Sequence, residues 1–116
     1  MHDCRLLRGV LRSSRPANIP TLFTNAAAAW ASVRGAELPL PALYGGVVLM
    51  GLCFYLYGMW ENDRVDARWD AARYPDRPVP CGAVSVSVLR LLSFATGLSG
   101  LVLNMALGGE FAVGAL

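Results

Sequence analysis

Glu61 to Ser85 reads ENDRVDARWDAARYPDRPVPCGAVS, and the fold and the chemistry of the chain both turn on this stretch. It follows a long uncharged run and holds five of the chain's eight acidic residues and four of its ten basic ones. Asn62, Asp63, Asp66 and Asp70 form the pattern N-D-x-x-D-x-x-x-D. With Asn62 as zero, at about 100° per residue of helix, Asp66 falls near about 40°, Asp70 near about 80° and Asp63 near about 100°. The four side chains crowd one quadrant, while Glu61, Arg64 and Arg68 project the other way. Like charges spaced i,i+4 cost roughly 0.2–0.5 kcal/mol per pair on an exposed helix, and more in a drier site. A divalent cation reverses the sign, because Mg²⁺ takes oxygen ligands and binds through a few carboxylates plus substrate phosphates. The plain alternative is a solvated, charged helix end beneath a membrane span.

Upstream lies the clearest span, Pro41 to Trp60, PALYGGVVLMGLCFYLYGMW. Its twenty uncharged residues suffice to cross the hydrocarbon. Tyr55, Tyr57 and Trp60 in its last turns are expected at an interface, and Gly45, Gly46, Gly51 and Gly58 are expected to permit close helix approach. Further upstream, Pro16 to Val33 carries no charge and is a marginal span; Asn18, Thr21 and Asn25 give it a polar stripe within roughly 60°, suited to a wet cavity or to interhelical hydrogen bonds. Residues 1–15, with Arg5, Arg8, Arg12 and Arg15, read as a basic approach to a membrane, with His2 and Asp3 in a disordered end. Downstream, three prolines and a glycine make Tyr74 to Gly82 a loop. A third apolar segment runs from Ala83 to Gly109, with Arg90 near enough to its start to snorkel. The last residues, after Glu110, read as a chain cut short as another span begins.

Composition agrees with the spans. Of 116 residues, 55% are hydrophobic and only 16% charged, with a mean hydropathy of +0.45, which points away from an ordinary soluble domain. A net charge of +2 gives no argument for nucleic acid. Cys4, Cys53 and Cys81 are odd in number and lack metal spacing, so they read as reduced thiols, Cys53 within a span. The predicted fold is all-α and multi-pass, with a basic cytoplasmic segment over 1–15 and a transmembrane domain over 16–116 spanning at 16–33, 41–60 and 83–109. Arginine counts place the N-terminus and the acidic loop on the cytoplasmic side of the cell membrane, as two intervening spans would.

The succession Arg15-Pro16-Ala17-Asn18, an apolar span, the N-D-x-x-D-x-x-x-D motif and then Arg77-Pro78-Val79-Pro80-Cys81-Gly82-Ala83-Val84-Ser85 resembles the UbiA superfamily of intramembrane prenyltransferases, leaning to its 4-hydroxybenzoate-like branch. The resemblance runs from Arg15 onward and covers three of the family's nine or so helices. It implies transfer of a prenyl group from an allylic prenyl diphosphate to a membrane-soluble or aromatic acceptor, with Mg²⁺ on the diphosphate as it departs. It also implies metal ligation by Asn62, Asp63, Asp66 and Asp70, diphosphate contacts from Arg77 and Arg73, and an Asn18 side chain in the central cavity.

The chain departs from the family in one large respect. The family's second acidic motif, D-x-x-x-D, has no counterpart after Asp76, where only Glu110 remains. The 116 residues alone are therefore expected not to catalyse transfer, either as a piece of a longer enzyme or as one half completed by a second chain. Three other readings compete. A CDP-alcohol phosphotransferase would need a glycine directly after the first aspartate, and Asp63 is followed by Arg64. A soluble prenyl synthase is at odds with the uncharged spans. A non-catalytic three-helix membrane protein would leave the acidic stretch as a solvated face.

Overall fold

The computed structural model describes residues 2–34 and 41–113, and every regular element among them is helical. In chain order these are α1 (His2–Ser13), a 3-10 turn over Pro16–Asn18, α2 (Pro20–Arg34), α3 (Pro41–Val65), α4 (Ala67–Arg73) and α5 (Val86–Val113). At 1.5 Å per residue, α3 and α5 reach about 38 and 42 Å, beyond a hydrocarbon core of about 30 Å. Among the described residues, Leu43–Val65 and Val86–Gly108 are long and apolar enough to cross a membrane. The all-α reading and its membrane character therefore hold. The first expected span is shorter than the sequence implied. Its helix starts only at Pro20 and covers 15 residues, about 22 Å. Pro20 has no N–H to donate, and the residues before it close a 3-10 turn through Asn18 N–H to Arg15 O and Ile19 N–H to Pro16 O.

The long pair is held together mainly by glycines of α5. A Cβ on Gly97 would lie 3.0 Å from the Tyr57 ring, and one on Gly100 would lie 3.2 Å from both Cys53 and Phe54. Of the glycines singled out on α3, only Gly46 is closely approached, by Leu107 at 2.9 Å; Gly45 and Gly58 face open space. Small residues at the crossing bring the two backbones close, which is how helices associate where no hydrophobic drive separates protein from lipid.

The core sits at one end of this pair. Trp60, Val84 and Leu89 are buried there, with Val10, Leu56, Val79, Val88 and Leu92 packed around them. Trp60 is thus a core residue and not an interfacial anchor. Its indole N–H donates to Ser14 Oγ at 3.1 Å, while Tyr57 is exposed.

The N-terminal segment is not a loose end. It is helical from His2 and lies across the same end of the molecule, with Gly9 against Ala83. Arg5 donates to Cys81 O at 3.2 Å and Arg12 to Asp76 O at 3.3 Å. The chain leaves α1 through Arg15, whose φ of 45° is left-handed. The loop after α4 turns at Gly82, φ 71°, and Ser85 Oγ accepts from Val88 N–H at 3.2 Å to cap α5. That cap sets the start of α5 at Val86 instead of Ala83.

Candidate functional site

The acidic stretch does not begin a new helix. α3 runs on from Trp60 through Glu61 and the first acids to Val65, and α4 resumes after one residue. Asp66 N–H donates to Asn62 O at 2.9 Å and Asp70 N–H to Asp66 O at 2.8 Å, so the four-residue spacing survives the break at Asp66. The inward face, however, is the one carrying Trp60, Asp63 and Asp70. All three are buried, whereas Asn62 is exposed and Asp66 half-buried.

Each buried aspartate meets an arginine from elsewhere in the chain. Arg15 Nη2 donates to Asp63 Oδ1 at 3.1 Å, linking the start of the chain to the motif. Arg77 Nη1 reaches both Asp70 oxygens, at 2.8 and 2.7 Å. The Asp63 and Asp70 side chains are only 7% and 4% exposed, and their arginines 40% and 39%. The charged atoms are thus desolvated on the acid side and wet on the basic side. Hydrogen bonds to Asp70 push the Arg77 guanidinium above its ordinary range, so it stays charged. Glu61 pairs locally with Arg64, with Nε to Oε2 at 2.9 Å.

These arginines surround a cavity of about 410 Å³ at the polar end of α3. Its wall carries Arg12, Arg15, Arg73 and Arg77 against two carboxylates, Asp63 and Asp76, and is completed by Tyr74, Pro75 and Pro78. Arg73 lies 3.4 Å above the Trp69 ring and Arg77 lies 4.6 Å from the Tyr74 ring. Stacking of this kind holds a guanidinium plane while leaving its edge donors free. Four such forks around one space make a site for a multiply charged anion with several oxygens.

Arg73, Arg77 and Asp63 of the sequence-derived set therefore meet at this cavity, and Asp70 stands behind Arg77. Asn62 and Asp66 do not line it, nor does Asn18, which is exposed in the 3-10 turn. Among the described residues, no group of three or more His, Cys, Asp or Glu side chains converges to hold a metal. Sequence reasoning missed Arg12 and Arg15. The signal open to it was their i,i+3 spacing in a basic segment followed by Pro16, but nothing in that spacing says the segment folds back onto residues 63 and 76.

Comparison with known proteins gives one further observation. The chain is similar to the digeranylgeranylglyceryl phosphate synthase of Methanoregula boonei. The two are 32% identical over 101 residues, which is 85% of this chain and 34% of that protein. The chain thus spans about a third of the length of the relative it matches. No family model and no solved structure matches it.

Proposed function

We propose that this chain carries the diphosphate-binding part of a UbiA-superfamily prenyltransferase, working at the cytoplasmic face of the cell membrane on an allylic prenyl diphosphate. The observation that carries the proposal is the convergence of Arg12, Arg15, Arg73 and Arg77 on one cavity at the polar end of an apolar helix. A prenyl diphosphate needs that combination: arginine forks for the head and a lipid-facing flank for the tail. The relative's name, which describes a digeranylgeranyl-bearing glyceryl phosphate, supports prenyl transfer in general. It does not favour the 4-hydroxybenzoate-like branch that the R-P-V-P-C-G run leaned toward.

In this reading Arg73 and Arg77 grip the leaving diphosphate, with Trp69 and Tyr74 fixing their planes. Arg12 and Arg15 close the opposite wall from the N-terminal segment. Asp63 and Asp70 orient two of the four guanidiniums. Prearranged donors at the position where charge develops stabilise a departing anion without reorganising as it leaves.

Magnesium belongs to this proposal through the resemblance. The donors fit it in kind, since Asn62 and Asp66 are hard oxygen ligands whose side chains make no ion pair or hydrogen bond among the described residues. Magnesium commonly binds through one or two carboxylates plus substrate phosphates, so Asp66 and Asn62 would hold it from positions next to Asp63 and off the cavity wall itself, whereas Asp63 and Asp70 would have to release an arginine first. When bound, it would offset negative charge on the diphosphate oxygens.

The test is direct binding of inorganic pyrophosphate and of geranylgeranyl diphosphate to the full chain in nanodiscs, with and without Mg²⁺. Arg73→Gln and Arg77→Gln should each weaken both ligands by about tenfold or more. Affinities that equal those for sulfate, or that ignore both substitutions, would remove the proposal. A purely structural role for Asp63 and Asp70 is the second reading, carried by their buried ion pairs; it predicts that their asparagine variants lose stability while those of Asn62 and Asp66 change nothing.

A further inference from the structure

α1 has two different sides. At about 100° per residue, with Leu7 as zero, Leu11 lies near about 40° and Arg8 near about 100°, while Gly9 and Ser13 lie near about 200° and 240°. The second pair is the buried side, packed onto the loop at Ala83 and the end of α3. Leu7 and Leu11 point away from the protein, 60% and 51% exposed, while Leu6, near about 260° and so beside Ser13, is 39% exposed. Arg8 beside them is exposed and forms no hydrogen bond or ion pair among the described residues. The segment carries Arg5, Arg8, Arg12 and Arg15 against one acid, Asp3. Its partner residues, Trp60 on α3 and Ala83 just before α5, stand at the polar ends of the two candidate spans.

A helix held at that level, with a leucine pair facing outward and arginines at its border, has the form of an interfacial helix. We infer that α1 lies on an anionic phospholipid surface, inserting Leu7 and Leu11 at the headgroup–acyl boundary while Arg8 meets the lipid phosphates. Arg12, one turn on from Arg8 and near about 140°, lines the cavity wall. Membrane contact and the anion site are thus served by adjacent stripes of one element. This holds whatever group the cavity binds, so it stands or falls separately from the transferase reading.

The test uses the whole chain with Cys4, Cys53 and Cys81 replaced and a nitroxide attached at Leu7→Cys or Leu11→Cys. Collision with dissolved oxygen, which favours the acyl region, is compared with collision with a water-soluble nickel chelate. The measurement is made in zwitterionic bilayers and in bilayers with phosphatidylglycerol added. The expected result is a high oxygen-to-nickel ratio at both positions, rising with phosphatidylglycerol, and a fall of about fivefold in the inserted population for Arg8→Gln in the charged bilayer. Both substituted leucines are exposed, and the indole emission of buried Trp60, isolated by Trp30→Phe and Trp69→Phe, reports that the fold is kept. Nickel access as high as in detergent overturns the membrane contact. Insertion that ignores lipid charge overturns the anionic surface. Protection from both reagents at every composition means that protein covers the face, and overturns the proposal outright.

Discussion

Gly9 offers a substitution whose sign the structure decides. In the interior of a helix, alanine is favoured over glycine by about 1 kcal/mol. On propensity alone, Gly9→Ala in α1 should therefore stabilise the protein. A Cβ at this position would stand 2.9 Å from Ala83 O, 3.0 Å from Ala83 C and 3.1 Å from Ala83 Cβ. Two of these atoms belong to backbone fixed by hydrogen bonds, Ala83 N–H to Pro78 O at 2.9 Å and Val84 N–H to Pro78 O at 3.2 Å. The contact must then be relieved by moving α1, at the roughly 1–3 kcal/mol typical of overpacking. The net expectation is a loss of up to about 2 kcal/mol. Moving α1 also draws Arg12 and Arg15 off the cavity, so pyrophosphate affinity should fall together with stability. Gly58 supplies the opposite case, because nothing lies within 4 Å of a Cβ there; Gly58→Ala should gain about 0.5–1 kcal/mol. Equilibrium unfolding in mixed micelles reads both. Ala83→Gly should rescue Gly9→Ala only slightly, since the nearest atom is the carbonyl oxygen. Gly9→Ala more stable than the parent, as propensity alone would have it, or fully rescued by Ala83→Gly, would refute the packing described here.

Three further outcomes follow from the same end of the molecule. Trp60→Phe removes the buried donor to Ser14 Oγ and should cost about 1–2 kcal/mol by chemical unfolding, with Ser14→Ala non-additive on top of it. Arg15→Gly keeps the left-handed backbone, relieving about 1 kcal/mol of strain, but leaves the buried Asp63 carboxylate without its guanidinium; calorimetry should find pyrophosphate binding weakened about tenfold and a net loss of stability, which Asp63→Asn in the same chain should largely restore. Asp70 raises the Arg77 pKa above its ordinary value, so the stability from this pair is fully present below the unfolded value and is lost only as pH rises through the folded one. Thermal unfolding should therefore show no loss from this pair between about pH 6 and 8, and a fall within that window abolished by Arg77→Gln would contradict the assignment.

The two long helices were readable because hydrocarbon-length apolar runs are a local property of sequence, and so was the loop with Pro75, Pro78 and Pro80. The end of α3 was not. Glu61, Asp63 and Arg64 are charged, which suggested a new segment, yet the helix simply continues because its hydrogen bonds do not depend on side-chain polarity. The motif's spacing was legible, but not which of its members face inward. Asn62, Asp66 and Asp70 share a register with Asp63, and only contact with Arg15 and Arg77 selects Asp63 and Asp70 for burial. Those contacts join residues 48 and 7 positions apart. The shorter separation lies within Glu61–Ser85, so Arg77 was legible from sequence; the longer one depends on α1 folding back, so Arg15 was not. Trp60 was misread for the same reason, since an aromatic residue at the end of a span looks alike whether lipid or an N-terminal helix covers it.

The pairing of two acids with two arginines divides the labour of the motif. A guanidinium has five N–H donors; Arg15 spends Nη2 on Asp63, and Arg77 spends Nη1 on Asp70. The remaining donors of both are free for an anion in the cavity. A buried acid that binds only one edge of an arginine does not compete with that anion. It fixes the direction in which the other edge points, and its own desolvation is offset by the pair it forms. The one acid of the motif left without such a partner, Asp66, with Asn62 one turn before it, is where a cation can act without dismantling the arginine cluster. One helical stretch can thus orient arginines with its two buried acids and offer oxygen ligands from Asn62 and Asp66 at the edge of the same quadrant. That is why a pattern which looks self-repelling in sequence can be stable before any ligand arrives: two of its charges are already neutralised by arginines that the rest of the chain brings to them.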